Sequence, residues 1–444
     1  MERNVYRPGA GKLPPLMVGR DPLVRDWVLR LNEVAADGRA AAEDLLLTGP
    51  RGVGKTCALT VLADRARGQG FEVINLQAVR DERTLVTSLI RQADAAVAAG
   101  RGPWTRAKRA LERFAGVQLG VAGASASLSL HPPEGAPTAT RDPESLAGAL
   151  AALAREARAD SPAGQGGVMV TVDEIQVGDP GEVALLAAML QRLNVDHAPA
   201  TVVFAGTGLP HTMSRLAEVG VTHPDRLFAE TRIPLQLEEP DARMAILGPA
   251  HDVGVGWEPG AVDAVLEASN RYPAHLQYFA QAVWRGAPGP NVDERSARAV
   301  IPAADDQLTM RSLEPRWDAL TDREAELVTA IAANGGRANV RQLEAILERD
   351  QRSWSRVRGT LIEAGDIYAP RRGVLELTVP ALGRYALHQY PELRDRAADA
   401  ARLVSPDQMT RRARQSLDAR QPPLSGAEQQ WRQLPRSPQP GERD

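Results

Sequence analysis

Gly49-Pro50-Arg51-Gly52-Val53-Gly54-Lys55-Thr56 decides how the rest of the chain is read. The run satisfies the G-x-x-x-x-G-K-[ST] pattern of a phosphate-binding loop. Before it, Asp44-Leu45-Leu46-Leu47-Thr48 reads as a short buried strand, and after it Cys57-Ala58-Leu59-Thr60-Val61-Leu62-Ala63 continues as a helix. The glycines therefore fall on a strand-to-helix turn, where backbone N–H groups and a helix N-terminus face an anion. In this reading Gly49 through Cys57 cradle the phosphates of ATP, Lys55 reaches between the β and γ groups, and Thr56 holds Mg²⁺. Only Lys12, Lys55 and Lys108 are lysines, against fifty arginines, so a composition that elsewhere favours arginine keeps a lysine here. A compact ammonium on a flexible stem fits a closed glycine loop, where a planar guanidinium is too wide.

A second strand-like run, Gly167-Val168-Met169-Val170-Thr171-Val172, ends in Asp173-Glu174. Adjacent acids at the end of a buried strand are costly unless a cation or solvent meets them. Asp173 is placed to bind Mg²⁺ through water, and Glu174 to polarise the water that attacks a γ-phosphate. Further strands are predicted at Phe71–Leu76 and Ala200–Thr207, with helical patterns through Leu23, Trp27, Leu31 and Val34 and over 84–99, 104–115 and 143–159. Strands alternating with helices predict an α/β core whose parallel sheet is covered on both faces.

At 444 residues the chain is too long for one core and predicts roughly two to four domains. Residues 1–17 read as a flexible arm, disordered or docking, 18–237 as the nucleotide-binding core with a hairpin and loop insertion at about 116–143, and 238–300 as a helical lid. Residues 301–314 read as a linker, 315–395 as a second domain and 396–444 as a flexible tail. The apolar runs fall short of the ~18 residues of a membrane span, which with the absent signal-peptide core predicts a cytoplasmic protein. The single cysteine, Cys57, excludes internal disulfides and a cysteine metal cluster. A net charge of −3 confines any nucleic-acid contact to a local patch.

The second domain opens on a capping box, Thr321-Asp322-Arg323-Glu324, ahead of an apolar helical face at Leu327, Val328 and Ile331. Helices over 340–347 and 353–364 follow, then a hairpin turning at Arg371-Arg372-Gly373. Three helices and a hairpin resemble a winged helix-turn-helix. For duplex DNA, Ser353, Arg356 and Arg358 on the third helix are the base-reaching candidates, and Arg371 and Arg372 at the hairpin tip the phosphate contacts. Eight arginines against five acids between Arg337 and Arg372 give a small basic excess. Such domains also dock proteins, so a protein partner remains the other reading.

The order Val18-Gly19-Arg20, Gly49–Thr56, Val172-Asp173-Glu174-Ile175-Gln176, then Phe204-Ala205-Gly206-Thr207-Gly208-Leu209-Pro210, resembles the AAA+ ATPases of the Orc1/Cdc6-like group, in its bacterial branch of ATP-binding proteins. Asp225-Arg226-Leu227-Phe228, Tyr272-Pro273 with Leu276-Gln277, and Val283-Trp284 look like the same branch, and the resemblance spans about 17–395. It implies that Val18 and Gly19 lie near adenine, that Thr207 is the sensor-1 residue, and that Arg226 is an arginine finger used in a homo-oligomer. One departure is the lid turn Ser269-Asn270-Arg271-Tyr272-Pro273-Ala274-His275, which lacks a Gly-x-Pro-Arg arrangement; Arg271 precedes the proline. The resemblance implies a slow ATPase that switches a DNA-binding domain. A signalling or defence-type NTPase that docks a protein, and a transposition-type adaptor, share the same site chemistry.

Overall fold

The structure is a computed structural model and describes residues 4–9, 11–79, 84–98, 104, 142–161, 164–195, 200–287 and 289–403. The expected hairpin insertion, most of the expected helix 104–115 and the tail beyond 403 lie outside the described residues.

A five-stranded sheet of order β2-β3-β4-β1-β5 forms the centre. Its strands are β1 (Asp44–Thr48), β2 (Phe71–Gln77), β3 (Gly167–Asp173), β4 (Val202–Gly208) and β5 (Phe228–Arg232), and each paired neighbour runs parallel. β1 and β4 are buried along their whole length. That double-sided burial is why they read as continuous apolar runs rather than alternating ones. Trp27 and Leu31 of helix Asp21–Asp37 and Leu59 and Leu62 of helix Lys55–Gly68 pack on one face with Leu45 and Val203. Leu150 and Leu153 of helix Pro143–Asp160 and Met189 and Leu190 of helix Pro180–Val195 cover the other, against Val170 and Phe204. Parallel pairing puts the C-terminal ends of β1, β3 and β4 on one edge, so Gly49, Asp173–Glu174 and Thr207 come together there.

A helical lid follows, with helices Glu239–His251, Pro259–Ser269, Pro273–Gly286 and Glu294–Leu308, plus a two-residue parallel pair β6 (Gly256–Trp257) and β7 (Asn291–Val292). Its apolar core gathers Ile246, Val265, Phe279 and Val283. Two segments are more ordered than a flexible arm and a linker. The arm at 1–17 is docked over its described part: Tyr6 is buried in the lid core, donates to Ile246 O at 2.7 Å and meets Trp257 and Trp284 edge-on. Proline and glycine content signalled disorder, but one aromatic ring with a satisfied hydroxyl anchors the segment. The stretch 301–314 is helical throughout, with Pro302 inside the helix Glu294–Leu308. Leu308 joins the lid core and Leu313 the next one, so a continuous helical rod connects them.

The C-terminal unit packs helices Asp322–Ala333, Val340–Leu347 and Ser355–Ala364 with a three-stranded antiparallel sheet of order β8-β10-β9, where β8 is Arg337–Asn339, β9 Ile367–Arg371 and β10 Val374–Leu377. The Thr321–Glu324 capping box is formed. Helices Pro380–Gln389 and Pro391–Leu403 complete it, and Leu393 and Ala397 are buried, so ordered packing continues past residue 396. No helix among the described residues is long and apolar enough to cross a membrane.

Candidate nucleotide site

β1 ends at Thr48 and the helix begins at Lys55, so Gly49–Gly54 must turn the backbone sharply between them. Each glycine answers a different constraint. Gly49 would put a Cβ 2.9 Å from Ile233 O, Gly52 has φ +75 and would put one 2.2 Å from the Tyr272 hydroxyl, and Gly54 has φ +91 with open space around it. Arg20, itself buried, donates to Val53 O at 3.2 Å and tethers the loop from outside.

Lys55 is 5% exposed, and its Nζ donates to Gly49 O at 3.0 Å and Pro50 O at 2.9 Å. Glu174 Oε1 lies 3.7 Å from the same nitrogen. Burial pulls the lysine pKa down, while Glu174 and Asp173 pull it up. A buried ammonium ringed by oxygens at the mouth of a glycine turn is a cation poised for an anionic ligand.

Asp173 accepts from Thr56 Oγ1 at 2.9 Å and from the Thr207 hydroxyl. Thr207 Oγ1 in turn accepts from Glu174 N at 3.0 Å. Glu174 is held in the left-handed region at φ 55, a conformation that costs a non-glycine residue roughly 1–2 kcal/mol and clusters at functional sites. At this kink the Glu174 carboxylate lies toward Lys55 while Asp173 faces Thr56. Thr207 thus spends its donor on Asp173 and its acceptor on Glu174, acting as a brace between the two acids. Thr56 and Asp173 together offer an oxygen pair that suits Mg²⁺ accompanied by phosphate and water. Among the described residues there is no cluster of three or more His, Cys, Asp or Glu able to hold a metal alone.

The remaining expected residues lie around this centre. Val18 packs against the lid core, and Gly19, at φ +65, would place a Cβ 2.7 Å from Asp241 Oδ2 of the lid. Cys57 is half-buried, its thiol donating to Lys12 O at 3.4 Å and its pKa raised by burial. Lys12 also borders a cavity of about 620 Å³ between the arm and the lid, with Tyr6 and Gln281 on its wall. Arg226 sits exposed on the short helix Pro224–Leu227 just before β5. Arg271 has φ 55, and its N–H donates to Ser269 Oγ. Instead of an arginine, Tyr272 reaches the loop, its hydroxyl donating to Arg51 O. Ser353, Arg356, Arg371 and Arg372 are exposed; Arg358 is half-buried and its Nε has no hydrogen-bond partner.

The C-terminal unit touches this site. A Cβ on Gly365 would lie 3.1 Å from Leu209 Cδ1 and 3.7 Å from Arg51 Nε. Arg232, at the end of β5, donates to Pro370 O at 3.1 Å. The motif reading missed Arg20, Gln176, Glu230 and Tyr272 as working residues. Gln176 donates to Glu174 Oε2 at 2.7 Å, and Glu230 accepts from Thr48 Oγ1 at 2.6 Å. Only the quoted neighbourhoods of Arg20, Gln176 and Tyr272 gave any signal.

Residues 17–203 match the model of the AAA ATPase domain, and residues 311–386 that of a domain of unknown function. No curated protein sequence matches the chain. Among solved structures, the ORC2 protein of Aeropyrum pernix, in its ADPNP–ADP complexes, superposes with a TM-score of 0.51 at 13% identity, covering 89% of this chain and 98% of that one. A Walker-type ATPase of Pyrococcus abyssi gives 0.51 at 13% identity, over 86% of this chain and 98% of that one. Residues 17–203 are thus similar to an AAA ATPase domain, and the parallel five-stranded sheet, which extends to Arg232, displays the AAA+ P-loop fold.

Proposed function

We propose that the chain is an Mg²⁺-dependent, ATP-hydrolysing switch of the Orc1/Cdc6-like kind whose C-terminal unit is a winged helix that binds duplex DNA. The observation that carries the enzymatic part is the convergence of Lys55, Thr56, Asp173, Glu174 and Thr207 at one edge of the sheet. Thr56 and Asp173 would hold Mg²⁺, which supplies charge neutralisation on the triphosphate. Lys55 exchanges the carbonyls of Gly49 and Pro50 for phosphate oxygens. Glu174 accepts the proton of a water directed at the γ-phosphate, and Thr207 keeps the two acids at a fixed separation. Arg226, exposed on the surface, is suited to enter a neighbouring copy's site, where an arginine stabilises charge on the transferred group.

Support for the switch comes from Gly365 and Pro370, through which the C-terminal unit rests on Leu209, Arg51 and Arg232 beside the phosphate loop. The C-terminal end of the third helix faces the ATPase while its N-terminal residues, including Arg356, stay exposed. That is the end a helix presents to base edges in a major groove. The deciding experiment is retention of duplex DNA by the purified protein with ATP, with ADP and without nucleotide, across a salt series. Nucleotide-dependent retention that weakens with salt supports the switch. Nucleotide turnover without any DNA retention, together with recovery of a protein partner, moves the reading to a docking NTPase.

A further inference from the structure

We propose that Gln176 is a positioning residue for Glu174, clamping the carboxylate to the segment that follows β4; this rests on the hydrolytic reading above. Gln176 lies two residues beyond Glu174, on the short 3-10 turn Ile175–Val177. Its Nε2 donates to Glu174 Oε2 at 2.7 Å, while its Oε1 accepts from Leu209 N at 3.4 Å and lies 3.5 Å from Thr212 Oγ1. One amide therefore spends its donor on the base and its acceptor on the end of the neighbouring strand.

The receiving side is rigid. Thr212 is fully buried, and its hydroxyl donates its one proton to Leu209 O at 2.6 Å. Room for the amide depends on Gly208, where a Cβ would stand 2.9 Å from Gln176 Oε1 and 2.1 Å from Thr212 Oγ1. Oε2 of Glu174 is held by the hydrogen bond from Gln176, while Oε1 forms a looser ion pair with Lys55 Nζ, 3.7 Å away. An amide suits the task because it donates to a carboxylate without carrying charge that would compete for the phosphate. Displacing a reacting group by about 1 Å can cost ~10²-fold in rate, so an unclamped Glu174 loses turnover without losing nucleotide. Leu209 also packs toward Gly365, which links the C-terminal unit to the base through Gln176.

The test uses the full chain with Mg-ATP, reading kcat, KM and the affinity for a fluorescent ADP, with melting temperature alongside. Gln176→Leu keeps the volume and removes both bonds; kcat is expected to fall ~10-fold with KM and ADP affinity unchanged. Gln176→Glu, nearly isosteric and so a safeguard if the leucine variant fails to fold, sets a like charge against Glu174 and is expected to fall further. Parent-like kcat in either folded variant overturns the proposal, as does a loss of kcat matched by an equal loss of ADP affinity. A parent protein that binds Mg-ATP but never turns it over defeats the hydrolytic reading itself, and this inference with it.

Discussion

The hydroxyl of Tyr272, at the start of lid helix Pro273–Gly286, donates to the carbonyl oxygen of Arg51 in the phosphate loop. Burial pushes that phenol up to about 12, so it remains a donor at any physiological pH. The lid thereby grips the loop through its backbone, and Gly52 leaves the space that the ring occupies. Tyr272→Phe removes the bond while keeping the packing; at ~1 kcal/mol for a net hydrogen bond, nucleotide affinity should fall about fivefold. Gly52→Ala must displace the ring and also adopt φ +75, so its loss should be larger. Equilibrium titration with a fluorescent nucleotide checks both, and an unchanged Kd for Gly52→Ala would remove the lid from loop geometry.

Lys55 and Glu174 face each other across the site but have separable roles. Lys55→Ala should abolish nucleotide binding, because the loop then has no buried cation. Glu174→Gln should retain ATP and lose turnover, since the amide cannot accept the proton of the attacking water. Nucleotide binding and phosphate release, measured on the same samples, separate the two. Equal ATPase rates for Glu174→Gln and parent would exclude Glu174 as the base.

Asp44 opens β1 fully buried and accepts from Phe204 N at 2.9 Å. Desolvation pushes its carboxyl up to about 7, outweighing the hydrogen bond from Phe204 and the pull of Arg30. A raised folded-state pKa means that the folded protein holds this proton more tightly than the unfolded chain. The group's stabilising contribution is therefore complete below the ordinary value of 3.8 and is lost as pH rises through about 7. Melting temperatures from about pH 5 to about pH 8 should show a decline in the parent that is flatter in Asp44→Asn. Parallel profiles would mean that Asp44 is ionised when folded.

The chemistry at the ends of β1 and β3 was legible because it depends on residues adjacent in sequence. A strand, six loop residues and Lys55-Thr56 form one local unit, as do Val168–Val172 and the acids that follow. What the sequence hid depends on long-range pairing. Resemblance alone pointed to Thr207, and it is parallel register that sets its hydroxyl against Asp173 and Glu174 N, 33 residues away in the latter case. Tyr6 lay in a Pro/Gly-rich arm, and nothing local foretold a socket built by Trp257 and Trp284. Strand β8 is only three residues long and exists through pairing with β10. Pro302 reads as a break, yet the helix passes through it.

Arg226 is exposed on its short helix, which gives the oligomer prediction a specific form. If it acts in a neighbouring subunit, specific activity should rise with protein concentration. Arg226→Ala should cost a factor on the order of 10³ in kcat, and mixing it with Lys55→Ala should restore part of the turnover. In the mixture the intact Arg226 of one chain meets the intact Lys55 of the other. A monomer with concentration-independent activity, or a mixture no better than its parts, would place the arginine outside the reaction.

The hairpin tip and the third helix of the C-terminal unit should respond differently when DNA is the ligand. Arg371 and Arg372 are exposed at the β9–β10 turn, whose base is tied to the five-stranded sheet by Arg232. Replacing both should weaken binding alike for all sequences and flatten the salt dependence by up to ~2 units of slope, because each phosphate contact releases about one counterion. Arg356, exposed near the start of the third helix, should instead alter sequence preference. Arg358 is half-buried, so its replacement should act on packing and melting temperature more than on base choice. Binding measured on several duplexes over a salt series distinguishes these outcomes. If neither Arg371/Arg372 nor Arg356 variants change DNA retention while the same variants lose a protein partner, the unit is a docking module and the base-reading role assigned to Arg356 falls.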